Sequence, residues 1–196
     1  LLLTKRFHRP LVTTVHHPLT IDFQASLERD RNFTEKYYTV VFYPLGMQRR
    51  VIRRCDRVLT SSRETAREIQ RAFRVSPEKI RMVYNGLDAD FFRPLTGKPE
   101  RPSSLLFVGN TDDSKKGILY LLQALTLLPE KVTLTIVDQG APFKAYAPEL
   151  VQRFRLTSRV TFTGKVSPEV LRQLYTSSEA VVLPSLYEGF GLPAAE

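Results

Sequence analysis

Short apolar runs alternate with amphipathic stretches along most of the chain. Leu11–Val15 is β-branched and bounded by Pro10 and Pro18, which predicts a strand that delivers His16 and His17 at its carboxyl end. Residues 19–34 are mixed in character and read as loop. Glu35–Cys55 reads as one long helix, bent or interrupted at Pro44 and Gly46. Asp56–Thr60 is a short strand, and Ser61 or Ser62 caps a helix over Arg63–Phe73 with Glu64 in its first turn. Pro77–Lys79 reads as a turn, Ile80–Tyr84 as a strand and Asn85-Gly86 as a tight turn.

The second half is more regular. Strands are expected at Leu105–Val108, Val132–Val137, Val160–Thr163 and Ala180–Leu183. The helices that follow them are Gly117–Leu128, Tyr146–Phe154, Pro168–Tyr175 and one starting at Leu192. Strands alternating with helices predict a parallel, doubly wound sheet. Residues 96–103 are polar and rich in Pro, so they read as a linker between a domain at 1–95 and a second at 104–196.

Candidate chemistry concentrates at the end of the chain. After the strand at 180–183, Glu188-Gly189-Phe190-Gly191-Leu192-Pro193 turns into a helix, and Glu196 lies a turn further on. Glycine lets a ligand approach the backbone, and a helix start offers free N–H groups to an anion. Two glutamates alone would read as solvated residues flanking a strand-to-helix connection. The Gly-Phe-Gly-x-Pro between them favours a binding site. This stretch resembles the E-x7-E motif of the retaining glycosyltransferases of group 1, or family 4, and the resemblance spans nearly the whole chain.

That resemblance implies an α/β protein of GT-B type, with two doubly wound, Rossmann-like parallel-sheet domains. It implies transfer of a sugar from a nucleoside-diphosphate sugar to an acceptor hydroxyl with retained anomeric configuration. Residues 1–95 would be the end of the acceptor-side domain and 104–196 most of the nucleotide-sugar domain. No initiator Met is present and the chain stops early in a helix. It therefore reads as an internal fragment with both domains incomplete and little activity of its own.

The family pattern assigns roles residue by residue. Glu188 would hydrogen-bond the sugar of the donor, and Glu196 its ribose. Backbone groups of Gly189, Phe190, Gly191 and Leu192 would meet the diphosphate. Lys116, in the loop 109–117, matches the family's Lys-Gly pair and would neutralise the leaving group. Asn110 stands where the family has Arg, and Lys115 is the nearest compensating charge. Gly140 keeps one glycine of a Gly-x-Gly whose first position is Asp138 here. Backbone groups of Lys165 and Val166 would read the base. Thr14-Val15-His16 matches a Thr-x-His element and puts His16, ahead of His17, beside the donor sugar. Asn85-Gly86-Leu87-Asp88 with Phe91 and Pro94 resembles the segment leading out of the first domain, where the phenylalanines pack. No protein nucleophile, metal or cofactor is required, because lysine and amides take a metal's place. Asp112-Asp113 reads as solvated or capping rather than as a metal site.

Composition narrows the partners. The formal charge is +9, with +8 of it in residues 1–95. Arg50, Arg53, Arg54 and Arg57 share one helix face. A solvated face is the ordinary reading. Contact with an anionic membrane at its inner surface is the alternative, for a cytoplasmic enzyme acting on a carbohydrate or lipid-linked acceptor. Nucleic acid would fit the charge, but no helix-turn-helix, zinc or RNP-like pattern is present, so it is not expected. A single cysteine, Cys55, excludes an internal disulfide. A glycosidase using Glu188 and Glu196, and a non-catalytic nucleotide-sugar module, remain as rivals.

Overall fold

The computed structural model describes residues 9–29, 32–93, 101–138 and 146–196. The chain divides into two compact units. The first takes residues up to Gly86 together with Glu188–Phe190, and the second takes Leu87–Tyr187 together with Gly191–Glu196.

In the first unit, β1 (Val12–Val15), β2 (Arg57–Thr60) and β3 (Ile80–Met82) form a parallel sheet in that order. Val12 pairs with Arg57, and Val58 with Ile80. Four helices accompany them: α1 (Leu19–Arg29), α2 (Phe33–Phe42), α3 (Leu45–Arg54) and α4 (Arg63–Phe73). Ser62 caps α4 by accepting from Thr65 N, and the i, i+4, i+8 stripe Thr65, Ile69, Phe73 is buried. Val15, Ile52, Cys55, Val58, Ile69, Phe73 and Val75 make up the core of this unit. Burial first, then the Asp56 carboxylate, pushes the Cys55 thiol above its ordinary range, so it stays a neutral core residue.

Two expectations are corrected here. Residues 19–29 form α1, not loop. Their amphipathic stripe is weak, and α1 is fixed by distant partners: Gln48 Oε1 accepts from Leu19 N at 2.9 Å, and Thr20 Oγ1 donates to Glu68 at 3.1 Å. Residues 33–54 form two helices, interrupted at Pro44 as expected but not at Gly46, which lies inside α3. Tyr43 is extended (φ −70°, ψ 127°), as a residue before proline tends to be, and Pro44 is the N-cap of α3.

In the second unit the sheet order is β6-β5-β4-β7, all parallel: β4 (Arg101–Val108), β5 (Thr133–Val137), β6 (Val160–Phe162) and β7 (Ser178–Val181). The helices are α5 (Ile118–Thr126), α6 (Tyr146–Arg153), α7 (Pro168–Ser177) and the short α8 (Leu192–Ala195). Ile118, Leu121, Leu122 and Leu125 bury one face of α5 against Phe107, Leu134 and Ile136 of the sheet. Ser167 caps α7, and Pro168 occupies its first turn. The expected α/β architecture with parallel sheets is observed.

The linker expected at 96–103 lies outside the described residues up to position 100. Arg101–Ser103 belong to β4, whose register against β7 shifts between Arg101 and Leu105. Asn85-Gly86 makes no tight turn. The turn falls instead at residues 89–91, where Asp88 O accepts from Phe92 N (2.9 Å) and Asp88 Oδ1 from Phe91 N (3.0 Å).

Candidate functional site

In an open parallel sheet, ligands bind beyond the carboxyl ends of the strands, at the point where strand order reverses. In the second unit the chain runs from β4 to β5 and β6 on one side, then returns to β7 on the other. The reversal therefore lies between β4 and β7, flanked by loop 109–117 and the segment after β7. These two are joined directly: Leu186 N donates to Lys115 O at 2.8 Å. Gly117 has φ +68°, and a Cβ there would stand 2.2 Å from Pro184 O. Only glycine satisfies both the left-handed backbone and that approach.

Side chains of the loop hold its shape. Asn110 Oδ1 accepts from Asp112 N at 2.9 Å. Asp113 Oδ1 accepts from Lys115 N at 3.1 Å, starting the 3-10 turn Ser114–Lys116. Asp113 thus has the capping role expected of it. Thr111 is buried, and both its N–H and its hydroxyl donate to Asp138 Oδ2. Read from sequence as the loss of a glycine, Asp138 is a clamp on the loop after β4. Asn110, expected beside the diphosphate, closes a local turn. Half-buried Lys116 ends that turn, with its stem beside Gly109.

Lys165 and Val166 follow β6 at the same edge of the sheet. Thr163 N bonds to Ile136 O, and the space above Gly164 is open. Gly140 lies outside the described residues. Gly191 and Leu192 begin α8, whose four residues provide little macrodipole. Glu196 accepts from the Tyr175 hydroxyl of α7 at 2.6 Å. Phe92 meets the Tyr175 ring edge-on at 6.1 Å, and the Arg172 guanidinium lies 4.8 Å from the centre of the Phe91 ring. The phenylalanines therefore pack on α7, as expected.

The first unit holds His16, Glu188, Gly189 and Phe190. The His16 ring is exposed, whereas His17 is engaged by Asp22 at 2.9 Å. Gly189 was expected to leave room for a ligand. Instead, the place of a Cβ is taken by His16 O at 2.4 Å, so this glycine permits backbone to approach backbone. Gly189 O accepts from Ser61 Oγ (3.3 Å) and Thr65 Oγ1 (3.4 Å), and the Thr65 hydroxyl also lies 3.2 Å from His16 O. Phe190 packs on Tyr84 at 6.3 Å.

The bonding roles of Thr65, Asp138 and Tyr175 escaped the sequence reading. Thr65 alone left a signal, a hydroxyl inside an apolar stripe. The Tyr175–Glu196 bond can be tested directly. Burial, and then the Glu196 carboxylate, hold the Tyr175 hydroxyl above the ordinary phenol range. A folded-state pKa raised in this way contributes stability that is complete below the ordinary value of about 10 and is lost as pH rises beyond it. Urea unfolding of the wild type should therefore show stability falling above about pH 10, and Tyr175→Phe should lack that component. Identical pH slopes for the two proteins would refute the assignment.

Residues 88–196 match the family described as glycosyl transferases group 1, and residues 1–91 match Glycosyltransferase Family 4. The fold is thus that of a GT-B glycosyltransferase, and the chain belongs to the group 1 glycosyl transferases. It is 33% identical over 189 residues to the MMP alpha-(1->4)-mannosyltransferase of Mycolicibacterium hassiacum, covering 95% of this chain and 45% of that protein. It is 28% identical to the O-antigen chain mannosyltransferase RfbU of Salmonella typhimurium, covering 99% and 55%. Sucrose-phosphate synthase of Thermosynechococcus elongatus superposes with a TM-score of 0.75 at 25% identity, covering 98% of this chain and 49% of that one. HepE of Anabaena, solved with UDP and glucose, shares the fold with a TM-score of 0.68 at 20% identity, covering 94% and 49%. The chain spans about half the length of the curated relatives it matches. Among the described residues, no helix is long and apolar enough to cross a membrane, and no cluster of three or more His, Cys, Asp or Glu could hold a metal ion.

Proposed function

We propose that the protein transfers a sugar from a nucleoside-diphosphate sugar to an acceptor hydroxyl with retention of configuration. The observation that carries this reading is the 2.8 Å bond from Leu186 N to Lys115 O, which fixes the Lys116 loop at the strand-order reversal. A cation held there suits a departing diphosphate, whose charge grows in the transition state. In the second unit, Lys116 and the amides of Gly191 and Leu192 meet that charge. Glu196, oriented by Tyr175, takes the ribose, while Lys165 and Val166 face the base. In the first unit, Glu188 and His16 serve the sugar, with the amides of Gly189 and Phe190 beside them.

Lysine and amides supply the charge in this reading, so neither metal nor cofactor has a step. Two relatives are mannosyltransferases, which makes a mannose-bearing nucleotide sugar the first donor to test. The acceptor is a carbohydrate or a lipid-linked sugar, and the basic first half adds peripheral contact with an anionic membrane. The test screens the full-length protein against UDP-, GDP- and ADP-sugars for thermal stabilisation, beside turnover. One donor should stabilise the protein by mass action. A folded protein stabilised by none would end the reading. Binding without turnover would leave a nucleotide-sugar module, and hydrolysis of simple glycosides without nucleotide would favour the glycosidase.

A further inference from the structure

Thr65 stands in the first turn of α4 and is fully buried, in the stripe it shares with Ile69 and Phe73. Valine has the same shape and would fill that place without a polar atom. A buried hydroxyl costs stability unless it is bonded, so its partners explain it. They are two main-chain carbonyls from distant parts of the sequence. Thr65 Oγ1 donates to His16 O at 3.2 Å and to Gly189 O at 3.4 Å. Ser62 Oγ, the cap of α4, donates to Thr65 Oγ1 at 3.0 Å and so orients it.

All of these groups belong to the first unit. Both carbonyls lie on the segments whose side chains the functional reading gives to the donor sugar: one is that of His16 itself, and Glu188 immediately precedes Gly189. A second hydroxyl, Ser61 Oγ, donates to Gly189 O at 3.3 Å, and Ser61 is buried too. The bare Cα of Gly189 completes the junction, since the place of a Cβ lies 2.4 Å from His16 O. Neighbouring contacts hold both segments just beyond it. His17 binds Asp22 at 2.9 Å, and Phe190 packs on Tyr84 with ring centres 6.3 Å apart. With both main-chain segments fixed, His16 and Glu188 have only their side-chain torsions left to vary.

We propose that Thr65, assisted by Ser61, is a positioning residue for sugar transfer. Its hydroxyl ties the end of β1 to residues 188–190 and so sets the spacing of His16 and Glu188 around the donor sugar. This rests on the functional reading and adds to it the group that places its two sugar-contacting residues. Thr65 acts through two carbonyls and not on the reacting atoms. Such an indirect role can still weigh heavily, because a misplacement of about 1 Å can cost on the order of 10²-fold in rate. The effect is specific to the sugar. In the same reading the diphosphate and the ribose are met by Lys116 and Glu196, which belong to the second unit. A residue that only filled the core would show no such preference.

The test uses the full-length protein with its stabilising donor and, separately, with the matching nucleoside diphosphate, which lacks the sugar. Thr65→Val should lower kcat by about 10- to 100-fold, while the Kd of the nucleoside diphosphate stays within about twofold of wild type. The cap of α4 survives this change, because Thr65 donates to Ser62 Oγ through its backbone N–H at 3.1 Å. Thr65→Ser keeps the hydroxyl and should bring kcat back to within about threefold of wild type. Ser61→Ala leaves the Thr65 bonds in place and should show a smaller fall in kcat, again with unchanged affinity for the nucleoside diphosphate. A kcat within about threefold of wild type in Thr65→Val would overturn the proposal. So would an equal loss of nucleoside-diphosphate affinity, or a Thr65→Ser no more active than Thr65→Val. If Thr65→Val does not fold, Ser61→Ala decides: an unchanged kcat overturns the proposal, and a fall confined to kcat upholds it. Donor turnover by the wild type beside an unimpaired Thr65→Val sinks the positioning role alone. A folded wild type that no donor stabilises sinks the transfer reading, and this inference with it.

Discussion

Lys116→Ala in the full-length protein is expected to lower kcat/KM by about 10²- to 10³-fold, which is what the loss of one preorganised charge-stabilising group costs in other active sites. The fall should lie mainly in kcat. The ammonium meets charge that grows as the diphosphate leaves, so it is worth more in the transition state than in the bound donor. Melting temperature should hardly change, because the loop keeps its own bonds. Lys116 N still donates to Asp113 O at 2.8 Å, and Leu186 N still donates to Lys115 O. Lys116→Arg should recover part of the activity, since it restores the charge on a wider and differently shaped group. Steady-state kinetics with the stabilising donor provide the check. A loss of less than about threefold would place the diphosphate elsewhere and remove the central cation from the reading.

Gly117→Ala is the second expected large effect, and it acts on the scaffold. Alanine meets two penalties at this position. Its backbone must hold φ +68°, and its Cβ would sit 2.2 Å from the Pro184 carbonyl oxygen. The atom in the way is backbone, so it cannot swing aside as a side-chain tip would. The dihedral alone costs about 1–2 kcal/mol. Overpacking adds about 1–3 kcal/mol, for a total of roughly 2–5 kcal/mol. At this chain length each kcal/mol lowers the melting temperature by roughly 2–4 °C. Gly164→Ala separates the two terms. Its φ is +66° with nothing within 4 Å of the added carbon, so it should show the dihedral cost alone. Equal losses at both positions would mean that the Pro184 contact has no weight. If the contact matters, Gly117→Ala should also raise KM for the donor, because relief of the clash must push loop 109–117 away from the segment after β7.

Joining loop 109–117 to the segment after β7 gives the framework a single rigid edge at the strand-order reversal. Bonds to backbone and to short side chains maintain it: Thr111 to Asp138, Asp112 to Asn110, Lys115 to Asp113, Leu186 to Lys115. Asn110 and Asp138 both depart from the family pattern, and both are occupied in shaping the loop after β4. Lys116 is thereby left as the cation that the family pattern assigns to the diphosphate.

What the sequence determined by itself is local. Ser62 with its buried i, i+4 stripe set α4, Ser167-Pro168 set α7, and alternating strand and helix patterns set the parallel sheet of the second unit. Pro44 was visible as an interruption, and Glu188 to Glu196 as a connection that runs into a helix. Each of these signals spans a few residues, within reach of capping bonds and helical or strand periodicity. Tertiary structure decided the rest, because the partners are far apart in the chain. Leu19 needed Gln48 before residues 19–29 became a helix, and Arg101–Ser103 needed β7 before they became strand. Thr111 found Asp138, Tyr175 found Glu196, and the missing side chains of Gly117 and Gly189 were explained by the carbonyls of Pro184 and His16. A composition or a period cannot encode such pairings. They exist only once the sheets have brought their strand ends side by side.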